Sequence, residues 1–486
     1  MNYSDTIAAI ATPAGEGGIA VIRISGPEAR SIAERVFRAR SGKGVADFRG
    51  YSTHYGFIVD PYSAVASGSI GAPEEEEALD DALLTVFRSP RSYTGEDVCE
   101  LSCHGGSSTA RRVLDVVLQA GARSAEPGEF TQRAFLNGKM DLAQAEAVAD
   151  LIRARTESAR RLARRQLDGQ LSRAVAQLKE DLIGILAAIE VTIDFSDEVG
   201  ELDNGEIASR LLESHRDLVR LQHSAGVGRI LRDGISVAIV GRPNVGKSSL
   251  LNALLRCDRA IVTAVPGTTR DTIEESVTIS GLPIALVDTA GMRETRDDVE
   301  RIGVERSRDA LIAADVALYV LDCEAGVTPE DVALVGTVQQ AARQVVVWNK
   351  RDLVDDSNLE GLLREAPALL GMKEASSVAV SASAGTGIEA LEDEIVRPYL
   401  SVSPVGETAL ADPIGSAVAH AARHLHALES ARKSIWHALD TARAGMPGDF
   451  TAIDIRGALD SLGLITGETV TDDIIHRIFK DFCVGK

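Results

Sequence analysis

The sequence of 486 residues predicts a multidomain α/β protein in which a doubly wound α/β domain is inserted into a helical domain. Six strand-like apolar runs alternate with helical patterns between residues 229 and 401, as is typical of a doubly wound sheet. Helical periodicity with few breakers covers residues 131–228, including the stretch 159–179, and returns from residue 417. About 80 terminal helical residues form only a thin core alone, so we expect them to pack on the earlier helices.

The first 135 residues are predicted to form a separate α+β domain. Strand-like runs at Thr6–Ala11 and Gly18–Ser25 are joined by a short loop, and a helical pattern follows at Pro27–Arg38. Residues 98–103 alternate between apolar and polar side chains, as in a half-buried strand. The predicted boundaries divide the chain into residues 1–135, 136–228, 229–401 and 402–486.

Composition excludes several classes of protein. The net charge of −21 argues against diffuse binding to nucleic acid, which requires lysine and arginine at the phosphates. Five cysteines without the spacing of a disulfide framework indicate a reducing compartment. We find neither an apolar stretch long enough for a bilayer nor a signal-peptide pattern, so we expect a cytoplasmic protein without membrane contact.

Residues 241–249 form a candidate phosphate-binding loop with the sequence Gly-Arg-Pro-Asn-Val-Gly-Lys-Ser-Ser. The loop follows the apolar run Ile235–Val240 and precedes an apolar helical pattern, which is the context that such a loop requires. Backbone N–H groups of the loop and the helix start point at an anion. Lys247 is expected to reach the terminal phosphates, and the Ser248 hydroxyl is expected to bind Mg²⁺.

Three further segments follow the loop, each at the end of a strand-like run. Asp288–Gly291 supplies a carboxylate for the magnesium shell and a glycine N–H for the γ-phosphate. In Asn349–Asp352, the Asp352 carboxylate is an acceptor that matches the N1–H and amino group of guanine, whereas adenine presents an acceptor there. Ser381-Ala382 suits a backbone N–H on the guanine carbonyl. Together they predict GTP rather than ATP, and a Ras-like P-loop GTPase domain.

The segment between the phosphate loop and Asp288 is predicted to be a switch. Its threonine Thr269 should reach Mg²⁺ only while the γ-phosphate is present. Small signalling GTPases place a water-orienting glutamine after Asp-Thr-Ala-Gly, but this chain has Met292, whose thioether cannot orient water. Glu300 is a candidate for that role, and its alternative is a solvated carboxylate at a helix start.

One local group of basic residues is the best candidate for a contact with RNA. Its members are Arg153, Arg155, Arg160, Arg161, Arg164 and Arg165. The pairs Arg160/Arg164 and Arg161/Arg165 are four residues apart and would lie on one helix face. The alternative is a solvated helix face, on which Glu157 and Asp168 pair with the arginines.

Highly specific motifs lie on both sides of the predicted GTPase domain. They are Asp5–Pro13, Gly17–Gly26, Glu126–Thr131, Arg133–Lys139, Asp141–Ala147 and the terminal Phe482–Lys486. With these motifs the chain resembles, over its whole length, the MnmE (TrmE) family of tRNA-modification GTPases. Pro266 and Val484 are the main departures, and both are small changes within the motifs.

The resemblance implies a homodimer that works with the FAD-dependent protein MnmG, in a heterotetramer or larger complex. Its substrate would be tRNA, and the product a (carboxymethyl)aminomethyl group on C5 of wobble uridine. The one-carbon donor would be 5-formyl- or methylene-tetrahydrofolate, bound by an N-terminal domain that also dimerises. Positions that match the family's folate contacts are Arg23, Glu100, Lys139 and Lys486, and Cys483 is a candidate functional thiol whose role stays open.

The resemblance also implies that GTPase domains pair across a potassium ion. Asn244 matches the residue that marks potassium-dependent members, with Thr263, Val265 and Thr268 as further contacts. Mg²⁺ would be held by Ser248 and Thr269, and Glu300 aligns with the water-positioning carboxylate that acts with Lys247 in catalysis. The expected nucleotide-binding set is Asn244, Val245, Gly246, Lys247, Ser248, Ser249, Thr263, Ala264, Val265, Pro266, Gly267, Thr268, Thr269, Asp288, Thr289, Ala290, Gly291, Asn349, Lys350, Asp352, Ser381 and Ala382.

Two other functions fit parts of the sequence. The central domain alone would suit a regulatory GTPase of the ribosome-assembly or signalling type, although the acidic chain shows no basic RNA-binding domain. A folate-dependent enzyme in which the GTPase only regulates would also carry Arg23, Glu100 and Lys139.

Overall fold

The computed structural model describes residues 4–62, 78–195, 203–257, 274–288, 311–312, 314–372, 375–400, 417, 421–480 and 482–486. The chain divides into two compact units. The N-terminal unit comprises Met1–Ala149 with Leu459–Lys486, and the central unit comprises Asp150–Ala458. Among the residues that the structure describes, no helix is both long and apolar enough to span a membrane.

A seven-stranded sheet forms the frame of the N-terminal unit. Its strands are β1 (Ile7–Ile10), β2 (Ile19–Ser25), β3 (Phe37–Ala39), β4 (Ser52–Val59), β5 (Ala78–Phe87), β6 (Val98–His104) and β7 (Arg123–Ser124). They lie in the order β3-β4-β5-β6-β2-β1-β7, and neighbours are antiparallel except for the parallel pair β1–β7. One face is buried under helices α1 (Ala29–Val36) and α2 (Ser107–Gln119), with Ile22, Leu84 and Leu101 in the core.

The C-terminal tail belongs to the same unit. Helices α3 (Glu129–Leu136) and α4 (Leu142–Arg153) follow the sheet, and α14 (Asp472–Lys480) packs against them through Ile475, Phe479 and Phe482. Gly128, with φ of +70°, permits this contact because a Cβ there would lie 2.7 Å from the carbonyl oxygen of Phe479. The Gly128 N–H donates to the Cys483 carbonyl at 3.2 Å. The last residues are thereby held beside the N-terminal sheet.

A charge network links α3 to Asp5, just before β1, and to Arg123 on β7. The Arg133 side chain is 1% exposed and pairs with Asp5 at 2.7 Å and Glu129 at 2.9 Å. Arg123 pairs with Glu129 at 2.6 Å. Burial disfavours the Glu129 anion, but hydrogen bonds from Arg123, the Glu126 N–H and Arg133 outweigh it and lower the pKa of Glu129. The network therefore holds Glu129 in its ionised form.

Helices make up the flanking parts of the central unit. They are α5 (Glu157–Leu167), α6 (Gln170–Asp194), α7 (Asn204–Asp233), α12 (Ala422–Arg443) and the part of α13 (Gly448–Thr466) up to Ala458. The stretch 159–179 is broken between α5 and α6 at Gly169, whose φ of +80° is unfavourable for other residues. Helix α12 packs along α7, so the expected packing of C-terminal helices on earlier ones is observed.

The rest of the central unit contains the predicted doubly wound, six-stranded sheet. Its strands are β8 (Ile235–Val240), β9 (Glu274–Ile279), β10 (Leu282–Asp288), β11 (Val316–Asp322), β12 (Gln344–Asn349) and β13 (Ser376–Ala379). The order is β13-β12-β11-β8-β10-β9, and only the edge strand β9 is antiparallel to its neighbour. The surrounding helices are α8 (Lys247–Cys257), α9 (Pro329–Val338), α10 (Asp356–Leu369) and α11 (Ile388–Leu400). Separate buried clusters around Val237 and Tyr319 confirm a sheet covered on both faces.

Candidate functional site

The phosphate loop joins the carboxyl end of β8 to the first residue of α8, Lys247. At Gly241 a Cβ would lie 2.4 Å from the Val320 carbonyl oxygen, so only glycine allows the loop to pass over β11. Gly246 has φ of +93°, and a Cβ there would lie 2.2 Å from Asn349 Nδ2. Both glycines of the motif are thus required by close approach, which fits a loop whose backbone surrounds an anion.

The side chains of the loop fit phosphate and cation ligands. Lys247 Nζ donates to the carbonyl oxygens of Gly241 and Arg242, each at 2.8 Å, so the cation lies over the loop itself. Asn244 is exposed and has φ of +64°, a left-handed conformation that asparagine tolerates better than most residues. Ser248 is exposed at the helix start, and its hydroxyl is accessible to a metal ion.

Asn349 joins three of the predicted nucleotide segments. Its side chain is 2% exposed. The Nδ2 group donates to the Val245 carbonyl at 2.8 Å, and Oδ1 accepts the N–H of Ala382 at 3.1 Å. The segment Ser381-Ala382 is predicted to offer a backbone N–H to the guanine carbonyl, and in this structure the Ala382 N–H is paired with Asn349 and the Ser381 N–H with the Thr386 carbonyl. Ser381 is fully buried, and its Oγ accepts the N–H of Ala384 at 3.2 Å.

The segment Asn349–Asp352, called the guanine segment below, is held by Asp322 at the end of β11. Lys350 has φ of +63°, and its Nζ lies 2.6 Å from Asp322 Oδ2. Burial opposes ionisation of Asp322, but the hydrogen bonds from Lys350 and the Glu324 N–H outweigh it and lower the pKa of Asp322. Asp352 lies in the 3-10 turn Arg351–Leu353 and is exposed, so it is accessible to a ligand. The sequence reasoning did not find Asp322, because an acid at a strand end has no motif of its own.

A second polar site lies in the N-terminal unit, on the sheet face opposite the core. Arg23 on β2 and Glu100 on β6 are paired across the strands, with Arg23 Nε 2.8 Å from Glu100 Oε1. Arg23 Nη1 donates to the Gly485 carbonyl of the C-terminal tail at 3.3 Å. The Arg23 guanidinium carbon lies 5.6 Å from the ring centroids of Tyr93 and Phe130. The C-terminal tail and the sheet therefore meet at the Arg23 guanidinium, which lies beside two aromatic rings.

The remaining predicted residues of this site lie on neighbouring segments. Lys139 Nζ donates to the Pro90 carbonyl at 3.1 Å, on the loop that also carries Tyr93. Cys483 is exposed, and Lys486 is half-buried at the end of the same tail. Sequence reasoning missed Tyr93, Phe130 and Gly485, since only the folded chain brings them to Arg23.

Comparisons with known proteins cover the whole chain. Residues 6–139 match the family model of the GTP-binding protein TrmE N-terminus, and residues 142–483 match that of the MnmE helical domain. The tRNA modification GTPase MnmE of Moorella thermoacetica is 46% identical over 99% of both chains. Those of Heliobacterium modesticaldum and Alkaliphilus metalliredigens are 44% and 42% identical over 99% and 100% of both chains. The chain belongs to the MnmE family of tRNA modification GTPases. Membership confirms the predicted fold class and enzyme class.

Several of the predicted nucleotide-site and cation-site positions lie outside the described residues. They are Thr263, Ala264, Val265, Pro266, Gly267, Thr268, Thr269, Thr289, Ala290, Gly291 and Glu300. Met292 also lies outside them. The backbone of Asp288 is described, and it pairs with Ile239 at the end of β8, two residues before the phosphate loop.

Three of the six arginines in the basic group of this MnmE-family chain pair with acids at the two ends of helix α5. Glu157 pairs with Arg160 at 2.7 Å and with Arg161 at 2.9 Å, and Asp168 pairs with Arg164 at 2.9 Å. The two arginine hydrogen bonds lower the pKa of Glu157 to about 2. These contacts favour the solvated, paired face over the RNA contact that the sequence left open.

Proposed function

We propose that this chain binds and hydrolyses GTP while it takes part in the modification of wobble uridine in tRNA. The observation that carries the proposal is Asn349, whose two hydrogen bonds join the phosphate loop to both segments predicted to recognise guanine. Asp352 is exposed beside this junction and can accept from the N1–H and amino group of a guanine. Family membership supplies the link to tRNA.

Lys247 and Glu300 are the proposed catalytic residues. Lys247 Nζ donates to two carbonyl oxygens of the loop. When a nucleotide binds, it would donate to the β- and γ-phosphates instead. Glu300 would position the attacking water, because the glutamine of small signalling GTPases is replaced by Met292.

Two cations belong to the proposal. Ser248 and Thr269 would hold Mg²⁺, and Asn244 would hold K⁺ with Thr263, Val265 and Thr268. Bound there, the ions would neutralise charge on the phosphates. The exposed positions of Asn244 and Ser248 on one loop support both assignments. Asn244 would also mark the surface on which two GTPase domains pair during hydrolysis.

The N-terminal site is the proposed site for the tetrahydrofolate donor. The Arg23 guanidinium, which lies near Tyr93 and Phe130, can stack on a flat heterocycle or donate hydrogen bonds to it. Glu100 can accept hydrogen bonds from the ring N–H groups of that heterocycle. Lys139 and Lys486 suit the glutamate carboxylates of the donor. Cys483 lies two residues from Gly485, which contacts Arg23. These contacts explain why the tail and the sheet would act as one site.

We further propose that the chain is a homodimer that works with MnmG. The sheet face that carries Arg23 also exposes Tyr55 and Leu83, neighbours on β4 and β5 that are 51% and 43% exposed. Large apolar side chains side by side on an open sheet face are typical of a protein interface. The partnership with MnmG rests on family membership.

Potassium dependence tests the proposed GTPase mechanism. We expect GTP hydrolysis to be stimulated by KCl and not by NaCl at equal ionic strength, and to be abolished by Lys247→Ala. Equal rates in the two salts would contradict the potassium-bridged pair of GTPase domains. Glu300→Ala should leave GTP binding intact and lower kcat. An unchanged kcat would mean that another group positions the attacking water.

A further inference from the structure

One short segment of the central unit contacts both the guanine segment and the phosphate loop. It runs from Asp322, at the end of β11, to Asp331 in the first turn of α9. Both carboxylates are buried: Asp322 is 7% exposed and Asp331 is fully buried. Buried carboxylates are costly unless they are paired, so their partners indicate what they hold in place.

Asp322 holds the guanine segment. Its Oδ2 lies 2.6 Å from Lys350 Nζ, while Oδ1 accepts the N–H of Glu324 at 2.9 Å. The neighbouring Cys323 N–H donates to the Asn349 carbonyl at 2.9 Å. Lys350 has left-handed backbone geometry, which is unfavourable for lysine, so a side-chain anchor is needed to keep it. Asp352 is two residues further on, and its position depends on that anchor.

Asp331 holds the phosphate loop. Its Oδ2 accepts from the Thr328 N–H at 2.9 Å and the Thr328 hydroxyl at 2.7 Å, as part of the cap of α9. The same oxygen lies 3.5 Å from Arg242 Nε, and the Arg242 side chain is only 20% exposed. The Arg242 carbonyl is one of the two that accept from Lys247. The ion pair therefore fixes the loop residue on which the phosphate-binding lysine rests.

We propose that Asp322 and Asp331 are positioning residues for GTP, and that the segment 322–331 sets the guanine segment and the phosphate loop in their relative places. Asp322 acts on recognition of the base through Lys350. Asp331 acts on the phosphates through Arg242. Neither carboxylate needs to contact the nucleotide. The inference rests on the GTP binding proposed above.

The first test compares GTP with inosine triphosphate. Inosine triphosphate lacks the 2-amino group from which Asp352 would accept a hydrogen bond. With Asp322→Asn we expect the Kd for GTP to rise about tenfold, as for loss of one charge-assisted hydrogen bond. The preference for GTP over inosine triphosphate should shrink, because the base contact is misplaced. The matched control is Asp356→Asn. Asp356 is 90% exposed and pairs with Arg351 of the same segment at 3.4 Å, so its loss should change neither value.

The second test uses Arg242→Met, which removes the ion pair and leaves the cap of α9 intact. We expect the Kd values for GTP and inosine triphosphate to rise together, again about tenfold, with their ratio unchanged. Arg242→Lys retains a cation opposite Asp331 and should lose less affinity. Glu330→Gln, an exposed neighbour of Asp331, is the control.

The two variants separate the inference from its alternatives. Wild-type affinities and ratio in both Asp322→Asn and Arg242→Met would overturn it. If the two variants changed the ratio of the Kd values for inosine triphosphate and GTP equally, the separate roles of Asp322 and Asp331 would be overturned. A general loss of structure would affect the base and the phosphates alike. Failure of the wild-type chain to bind GTP would instead refute the proposed function, and the wild-type titration alone would reveal it.

Discussion

Asn349→Ala is the most informative single change at the nucleotide site. It removes the two hydrogen bonds to Val245 and Ala382 and leaves their backbone groups without these partners. A buried polar group that loses its partner costs about 1–3 kcal/mol. Because Val245 is fully buried and Ala382 is partly buried, we expect the total to be about 2–4 kcal/mol.

The loss should appear in two measurements. Without nucleotide, the free energy of unfolding from urea denaturation should fall by about that amount. The Kd for GTP should also rise, by about tenfold, because the phosphate loop and the guanine-recognising segments are then no longer held in their binding positions. Asn358→Ala, at an exposed position on α10, is the control. If the variant lost GTP affinity but kept wild-type stability without nucleotide, Asn349 would contact the base and not join the loops, and our reasoning would be refuted.

Three further predictions concern the N-terminal unit and the cysteines. Glu129 has a pKa below its usual value of 4.5, so its ionised form adds stability above that pH, and this stability is lost as the pH falls through the lower folded value. Urea unfolding at pH 7 and at about pH 4 should therefore show a smaller loss for Glu129→Gln than for wild type, and equal losses would contradict the network. Arg23→Gln should weaken binding of 5-formyl-tetrahydrofolate at least about tenfold in calorimetry, whereas Arg111→Gln at an exposed position on α2 should not. Equal affinities of Arg23→Gln and wild type would remove Arg23 from the site. Iodoacetamide at pH 8 should alkylate exposed Cys483 before Cys99, Cys103 and Cys323, because burial raises the pKa of Cys99 to about 12 and those of Cys103 and Cys323 to about 11. Mass spectrometry that found Cys99 modified as fast as Cys483 would contradict this order.

The nucleotide site could be predicted largely from the sequence, because its determinants are local. A glycine loop between a strand and a helix, and the Asp-Thr-Ala-Gly and Asn-Lys-Arg-Asp sequences that follow strands, are each visible within a few residues. Lys247 and Asp352 follow from such segments alone. Asp322 and Asp331 could not be found this way, because a carboxylate at a strand end or a helix start already has a local explanation. Their partners, Lys350 and Arg242, are distant in sequence.

The N-terminal site shows the opposite case. Arg23 and Glu100 meet because β2 and β6 are adjacent in a particular register, 77 residues apart. From the residues alone, Glu100 is only an outward-facing strand position, and its role entered through the family resemblance. Tyr93, Phe130 and Gly485 join the site from two loops and the tail, and no periodicity predicts such a meeting. The fold class was accessible because helical and strand periods are local, whereas a site assembled from distant segments was not.

The central claim is that this chain acts in tRNA wobble-uridine modification and that its GTPase site is required. The most direct measurement is nucleoside analysis of tRNA from cells that lack the chain, complemented with wild type or with Lys247→Ala. We predict that the modified wobble uridine disappears without the chain, returns with wild type, and does not return with Lys247→Ala. Normal modification in cells that lack the chain would contradict the proposed function, and full rescue by Lys247→Ala would contradict the role of the nucleotide site.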